Sequence, residues 1–131
     1  MVVKMVVRPI AKLSEEAWVR SWVCLRWLVD TIVTPKITDR LCAPYLRRGE
    51  VSCQNGNRVV LNAKRWLLGA DSYGSDLTNY RRYLVNHEFG HALGKHQVDC
   101  PGAGRLAPVM MQQTKGLGGC RKNPWPQSSQ D

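Results

Sequence analysis

All three histidines of this 131-residue chain fall within the run His87-Glu88-Phe89-Gly90-His91-Ala92-Leu93-Gly94-Lys95-His96. His87 and His91 frame Glu88 in the arrangement HExxH, and a four-residue spacing on a helix sets the two rings one turn apart on a single face. Two neutral imidazoles projecting from one stripe of a rigid element can both reach one Zn²⁺ at about 2.0–2.1 Å. Glu88 follows the first ligand directly, so it points roughly a quarter-turn round the helix, beside the ion and not onto it. From there it can take a proton from metal-activated water, whose pKa zinc lowers towards ~7, while the ion polarises the carbonyl under attack. The chemistry this predicts is amide hydrolysis, with Zn²⁺ as cofactor, Glu88 as the catalytic base and a peptide or protein as substrate.

The element that must position these groups is a helix with legible ends. Ser75 or Asp76 supplies an N-cap, and Leu77, Tyr80, Leu84, His87 and His91 recur at spacings of three and four to give one inward stripe. Arg81, Arg82 and Asn86 are then expected to face solvent. Gly94 can take the left-handed conformation that ends a helix and turns the chain back, bringing a third ligand towards the metal. HExxH also arises in ordinary helices, where the histidines are surface or core residues, and Leu77, Tyr80 and Leu84 are read as core. The terminating glycine, the further histidine and the downstream run Ala107-Pro108-Val109-Met110-Met111 set this match apart.

With those residues in view, the chain resembles the metzincin metallopeptidases, which carry HExxHxxGxxH followed by a methionine turn beneath the metal. His87, Glu88, His91 and Gly94 match that pattern position by position. By the same resemblance Met110, with Met111 as the adjacent alternative, supports the imidazoles without ligating the metal. The third histidine of the pattern falls on Gln97, and His96 comes one residue early. His96 is the preferred third ligand because imidazole suits zinc and the turn after Gly94 can absorb a one-residue shift. Asp99 is the alternative with ordinary carboxylate chemistry; Gln97 holds the register but is a poor zinc donor.

A closer resemblance covers residues 30–126. It is to an uncharacterised actinobacterial family of zincin-like domains of unknown function, through the segments Thr38-Asp39-Arg40-Leu41-Cys42-Ala43-Pro44, Arg58-Val59-Val60-Leu61-Asn62, Tyr80-Arg81-Arg82-Tyr83-Leu84-Val85-Asn86-His87-Glu88, Cys100-Pro101-Gly102, Ala107-Pro108-Val109-Met110, Gln112-Gln113-Thr114 and Asn123-Pro124-Trp125-Pro126. The stretch Lys95-His96-Gln97 departs from that family's filler before its third histidine. The resemblance implies a peptidase-like zinc domain in an extracytoplasmic setting. None of the five cysteines forms a CxxC pair. Chain proximity together with the resemblance favours Cys42 with Cys53 and Cys100 with Cys120, leaving Cys24 free, which argues for an oxidising compartment. Five reduced cysteines in a cytosolic protein is the competing reading.

Length and composition fit this picture. A chain of 131 residues makes one domain able to bury about two-thirds of its unfolded surface, and 44% apolar with 22% charged residues is a globular composition. No run approaches the ~20 apolar residues needed to span a bilayer, since Arg26 interrupts the stretch from Trp22 to Val29. The opening Met1 to Ile10 carries Lys4, Arg8 and Pro9 and reads as no signal peptide.

The expected fold is α+β: a small zincin-like domain with a short N-terminal sheet, a central HExxH helix and an irregular C-terminal methionine-turn segment. Thr31-Ile32-Val33-Thr34 and Arg58-Val59-Val60-Leu61 read as strands ended by Pro35 and Asn62, and Cys53-Gln54-Asn55-Gly56-Asn57 reads as a turn. Ser14-Glu15-Glu16-Ala17-Trp18 can open a short helix, and the stretch from Trp22 to Leu28 suits either a helix or a strand. Residues 1–29 are the less defined part, and Gln127 to Asp131 form a loose tail with Trp125 as an anchor.

Two other functions compete with hydrolysis. A net charge of +9, with basic pairs at Arg47-Arg48, Lys64-Arg65, Arg81-Arg82 and Arg121-Lys122, suits an acidic surface such as nucleic acid or cell envelope. These pairs are scattered and form no reading motif, so they are taken as solvated surface and no nucleic-acid partner is expected. The second is a zinc-containing scaffold without turnover. The sequence offers no assignable oxyanion partner among Tyr73, Tyr80 and Tyr83.

Overall fold

The computed structural model describes residues 3–4, 29–44, 48–56 and 58–127. The strands are β1 (Val3–Lys4), β2 (Val29–Val33), β3 (Cys53–Asn55) and β4 (Arg58–Asn62). The helices are α1 (Pro35–Leu41), α2 (Ala63–Leu68) and α3 (Leu77–Ala92), and two 3₁₀ turns cover Asp71–Tyr73 and Gln113–Lys115. This is a small α+β fold, as expected.

The three longer strands form a mixed sheet in which β4 lies between β2 and β3, with the two-residue β1 pairing on the outer side of β2. β2 runs parallel to β4, with Thr31 opposite Val60 and Val33 opposite Asn62. β3 returns antiparallel to β4, pairing Cys53 with Val60 and Asn55 with Arg58. The segment read as a turn is therefore mostly the strand β3, and the reversal is confined to its end, where Gly56 adopts φ +60°. Successive β4 side chains alternate between faces. Val59 and Leu61 join the core under α3, whereas Val60 packs with Val33, Ile37 and Leu41 against α1.

α1 and α2 stand where the sequence showed only strand ends. Pro35 is the first residue of α1, where its fixed φ suits the opening turn and its missing N–H is no loss. Asn62 closes β4 and caps α2 by accepting the backbone N–H of Lys64 at 2.9 Å. The Cys42–Cys53 disulfide ties the end of α1 to β3.

α3 begins where the sequence puts it. The Asp76 side chain accepts the Asn79 N–H at 3.2 Å, and hydrogen bonds from Asn79 hold the Asp76 carboxyl below its ordinary pKa. From Tyr83 to Gly90 every residue is buried. The sheet covers one side of the helix and the C-terminal segment covers the other, with Val109 and Met110 in the same core as Val59 and Leu61. Asn86 is the residue that departs from expectation: it is buried, and its Nδ2 donates to the Pro124 carbonyl at 2.8 Å. A tail folded over that face removes it from solvent.

The C-terminal segment is irregular yet closed. The Cys100–Cys120 disulfide spans it, an isolated bridge pairs Leu106 with Arg121, and Ala107, Met111 and Cys120 form a small core of their own. Among the described residues no helix is long and apolar enough to cross a membrane. The expected helix at Ser14–Trp18, the stretch Trp22–Leu28, Cys24 and residues 128–131 lie outside the described residues.

Candidate functional site

α3 ends in a way that also sets the second histidine. Gly94, at φ +84°, lets the chain fold back so that the Lys95 N–H reaches the Gly90 carbonyl and the Gly94 N–H reaches the His91 carbonyl, both at 2.9 Å. This six-to-one and five-to-two pair is a Schellman cap. It delivers the Lys95 carbonyl to the imidazole of His91, whose Nδ1 lies 2.9 Å from it. The ring of His87, one turn earlier, has its Nδ1 2.9 Å from the Val109 carbonyl. A carbonyl oxygen only accepts, so in both rings Nδ1 carries a proton, and in the neutral imidazole that leaves the lone pair on Nε2.

The two rings stand 4.7 Å apart at their centroids and nearly perpendicular. With Glu88 they line an open cavity of about 330 Å³, together with Ser52, Cys53, Gln54, Gln97 and Gln112. Its walls therefore come from the start of β3, from α3 and from the chain after the helix. His87 is 1% exposed and Glu88 2%.

The expected third ligands are placed differently. All three are exposed; Gln97 lines the cavity, whereas His96 and Asp99 do not. Among the described residues, no three His, Cys, Asp or Glu side chains converge to hold a cation. The donor chemistry nevertheless fits zinc at two positions, since both imidazoles are fixed in the tautomer whose Nε2 can ligate, each through a hydrogen bond to a main-chain carbonyl.

Met110 is 1% exposed and packs onto the backbone of α3 at Gly90, where its thioether fills the space that a Cβ would occupy. Gly90 has no role among the sequence expectations. Its signal is a glycine within the last turn of the helix, ahead of the terminating Gly94, which costs up to about 1 kcal/mol relative to alanine and so points to a close approach.

A buried polar network holds this segment against α3. Gln113 uses both ends of its carboxamide: Oε1 accepts from the Tyr73 hydroxyl (2.9 Å) and the Asn123 N–H (3.1 Å), and Nε2 donates to the carbonyls of Pro108 (3.1 Å) and Asn123 (2.8 Å). The Tyr83 hydroxyl donates to the Met111 carbonyl at 3.1 Å and accepts the Gln113 N–H at 2.8 Å. The Tyr80 hydroxyl pairs with Thr114 Oγ1 at 3.2 Å. Burial raises the pKa of all three phenols, and the Glu88 carboxylate adds to the rise at Tyr80 and Tyr83. Their hydroxyls are thus engaged in holding the segment that carries Val109 and Met110, and none of the three lines the cavity.

Two of the basic pairs are engaged with neighbouring groups at the surface. Lys64 and Arg65 both bind Glu50, while Arg81 donates to the Trp66 carbonyl at 2.8 Å and Arg82 lies over the Trp125 ring.

A family model described as a protein of unknown function (DUF3152) matches residues 27–123. No curated protein and no solved structure matches the chain.

Proposed function

The chain belongs to the DUF3152 family, and from its site we propose a zinc-dependent metallopeptidase of zincin-like, metzincin-related design, in which Glu88 acts as the general base. The observation that carries this reading is the matched orientation of His87 and His91. Each donates Nδ1–H to a main-chain carbonyl, and both line one cavity with a buried glutamate. That combination orients ligand and base together, and core packing alone does not require it.

His87 and His91 would hold the metal through Nε2. When bound, zinc supplies an electrophile for the scissile carbonyl and acidifies water at neutral pH. Glu88 takes the proton from the attacking water and returns it to the leaving amine. Met110 braces the helix backbone between the two histidines, and the Val109 carbonyl keeps the first ring turned. An extracytoplasmic location goes with this function, supported by the two disulfides.

A second reading, a zinc-binding scaffold without turnover, is favoured by one observation: a glutamine, and no third histidine, completes the cavity wall. One experiment separates the two. The disulfide-intact chain is equilibrated with zinc, its bound metal is measured by equilibrium dialysis at fixed free zinc, and a peptide library is analysed by mass spectrometry after incubation. The peptidase reading expects cleavage that a chelator abolishes and zinc restores, and that falls by about 10²–10⁴ in Glu88→Gln while zinc content is kept. Zinc without cleavage selects the scaffold. Cleavage that persists in Glu88→Gln overturns the base assignment, and a chain that stays metal-free when supplemented overturns both readings.

A further inference from the structure

Resting on the metal reading above, we infer that Gln97, not His96, completes the donor set, so that the ion is held by two imidazoles and one neutral carboxamide oxygen. The chain here is pinned on both sides of the two residues in question. Before them, Lys95 donates its N–H to the Gly90 carbonyl and offers its own carbonyl to His91 Nδ1, each at 2.9 Å. After them, the Val98 N–H reaches the Met110 carbonyl at 3.3 Å. His96 and Gln97 are all that lies between these anchors. Sliding the chain by one residue to bring His96 to the cavity would break the helix cap with its link to His91, or the link to Met110.

With that register held, Gln97 lines the same cavity as His87, Glu88 and His91, whereas His96 does not, although both are exposed. A carboxamide oxygen is a harder and weaker donor to zinc than imidazole, and it carries no charge. The site therefore binds zinc loosely and exchangeably, and one substitution tightens it: Gln97→His places an imidazole at a position that lines the same cavity as His87 and His91.

The test is a competition titration of zinc against a chromophoric chelator, with Co²⁺ absorption spectra as a second readout of the donor set. Wild type, His91→Ala, Gln97→His, Gln97→Ala and His96→Ala are compared; residues 96 and 97 are exposed, so these substitutions leave the core alone. Gln97→His is expected to tighten zinc by at least about tenfold and to change the cobalt spectrum. Gln97→Ala weakens binding, and His96→Ala leaves affinity and spectrum as they are. A loss of affinity in His96→Ala comparable to that in His91→Ala, or an unchanged affinity in Gln97→His, overturns the assignment of Gln97. Indifference of zinc binding to His91→Ala overturns instead the metal reading on which it rests.

Discussion

Met110 lies against the α3 backbone at Gly90, with its thioether in the volume that any Cβ at that position would need. The contact joins the C-terminal segment to the helix between the two histidines. It makes glycine at position 90 a consequence of methionine at position 110.

The sign of one substitution should therefore depend on the other. Gly90→Ala alone gains about 1 kcal/mol of helix propensity but overpacks the core by about 1–3 kcal/mol, for a net loss of stability. Met110→Ala alone costs about 2–5 kcal/mol. On the Met110→Ala background, Gly90→Ala should become neutral or stabilising by up to about 1 kcal/mol. Urea midpoints of the four proteins check this, and simple additivity would mean that the two residues do not meet.

Tyr73, Tyr80 and Tyr83 make stability fall at alkaline pH. Burial raises their pKa in the folded protein above the unfolded value near 10. The unfolded chain therefore releases phenolic protons first as pH climbs past 10, and each phenol withdraws up to about 1.4 kcal/mol per pH unit of stability. Below pH 10 these groups contribute no slope. Ultraviolet titration should show phenolate at these positions appearing only together with unfolding, tracked by circular dichroism. Ionisation of all three in a protein that keeps its fold would contradict the buried network.

The Cys100–Cys120 disulfide closes the segment that presents the Val109 carbonyl to His87. Replacing both cysteines by serine should cost about 3 kcal/mol, the value for a loop of this length. It should also loosen the acceptor that orients His87, weakening zinc by about tenfold. Denaturation and metal titration on the same preparation measure both. Lost stability with unchanged affinity would show that the Gln113 network alone holds Val109 in place.

The helix α3 was legible because its information is local. Asp76, the stripe from Leu77 to His91 and Gly94 each act within a turn or two of their own position, and two β-branched runs likewise marked β2 and β4. The short helices α1 and α2 were not legible, since seven and six residues are too few to show a period. Pro35 and Asn62 each serve as the end of one element and the start of the next, and only the first role showed in the sequence. At the site, HExxH marked the two rings and the glutamate that line one cavity, but it could not mark what orients the rings. The acceptors are main-chain carbonyls of Val109 and Lys95, and a main-chain carbonyl has no residue type to recognise. The burial of Asn86 is not legible for a related reason: its partner is a main-chain carbonyl 38 positions away.

Lys95 has a double task at the end of α3, bonding the helix through its nitrogen and His91 through its oxygen. Fraying of the last turn and release of that ring are thus one event seen from two sides. If the proposed ion binds at His91, its uptake and slowed deuterium exchange at the Gly94 and Lys95 amides report a single equilibrium, with each favouring the other by the same free energy.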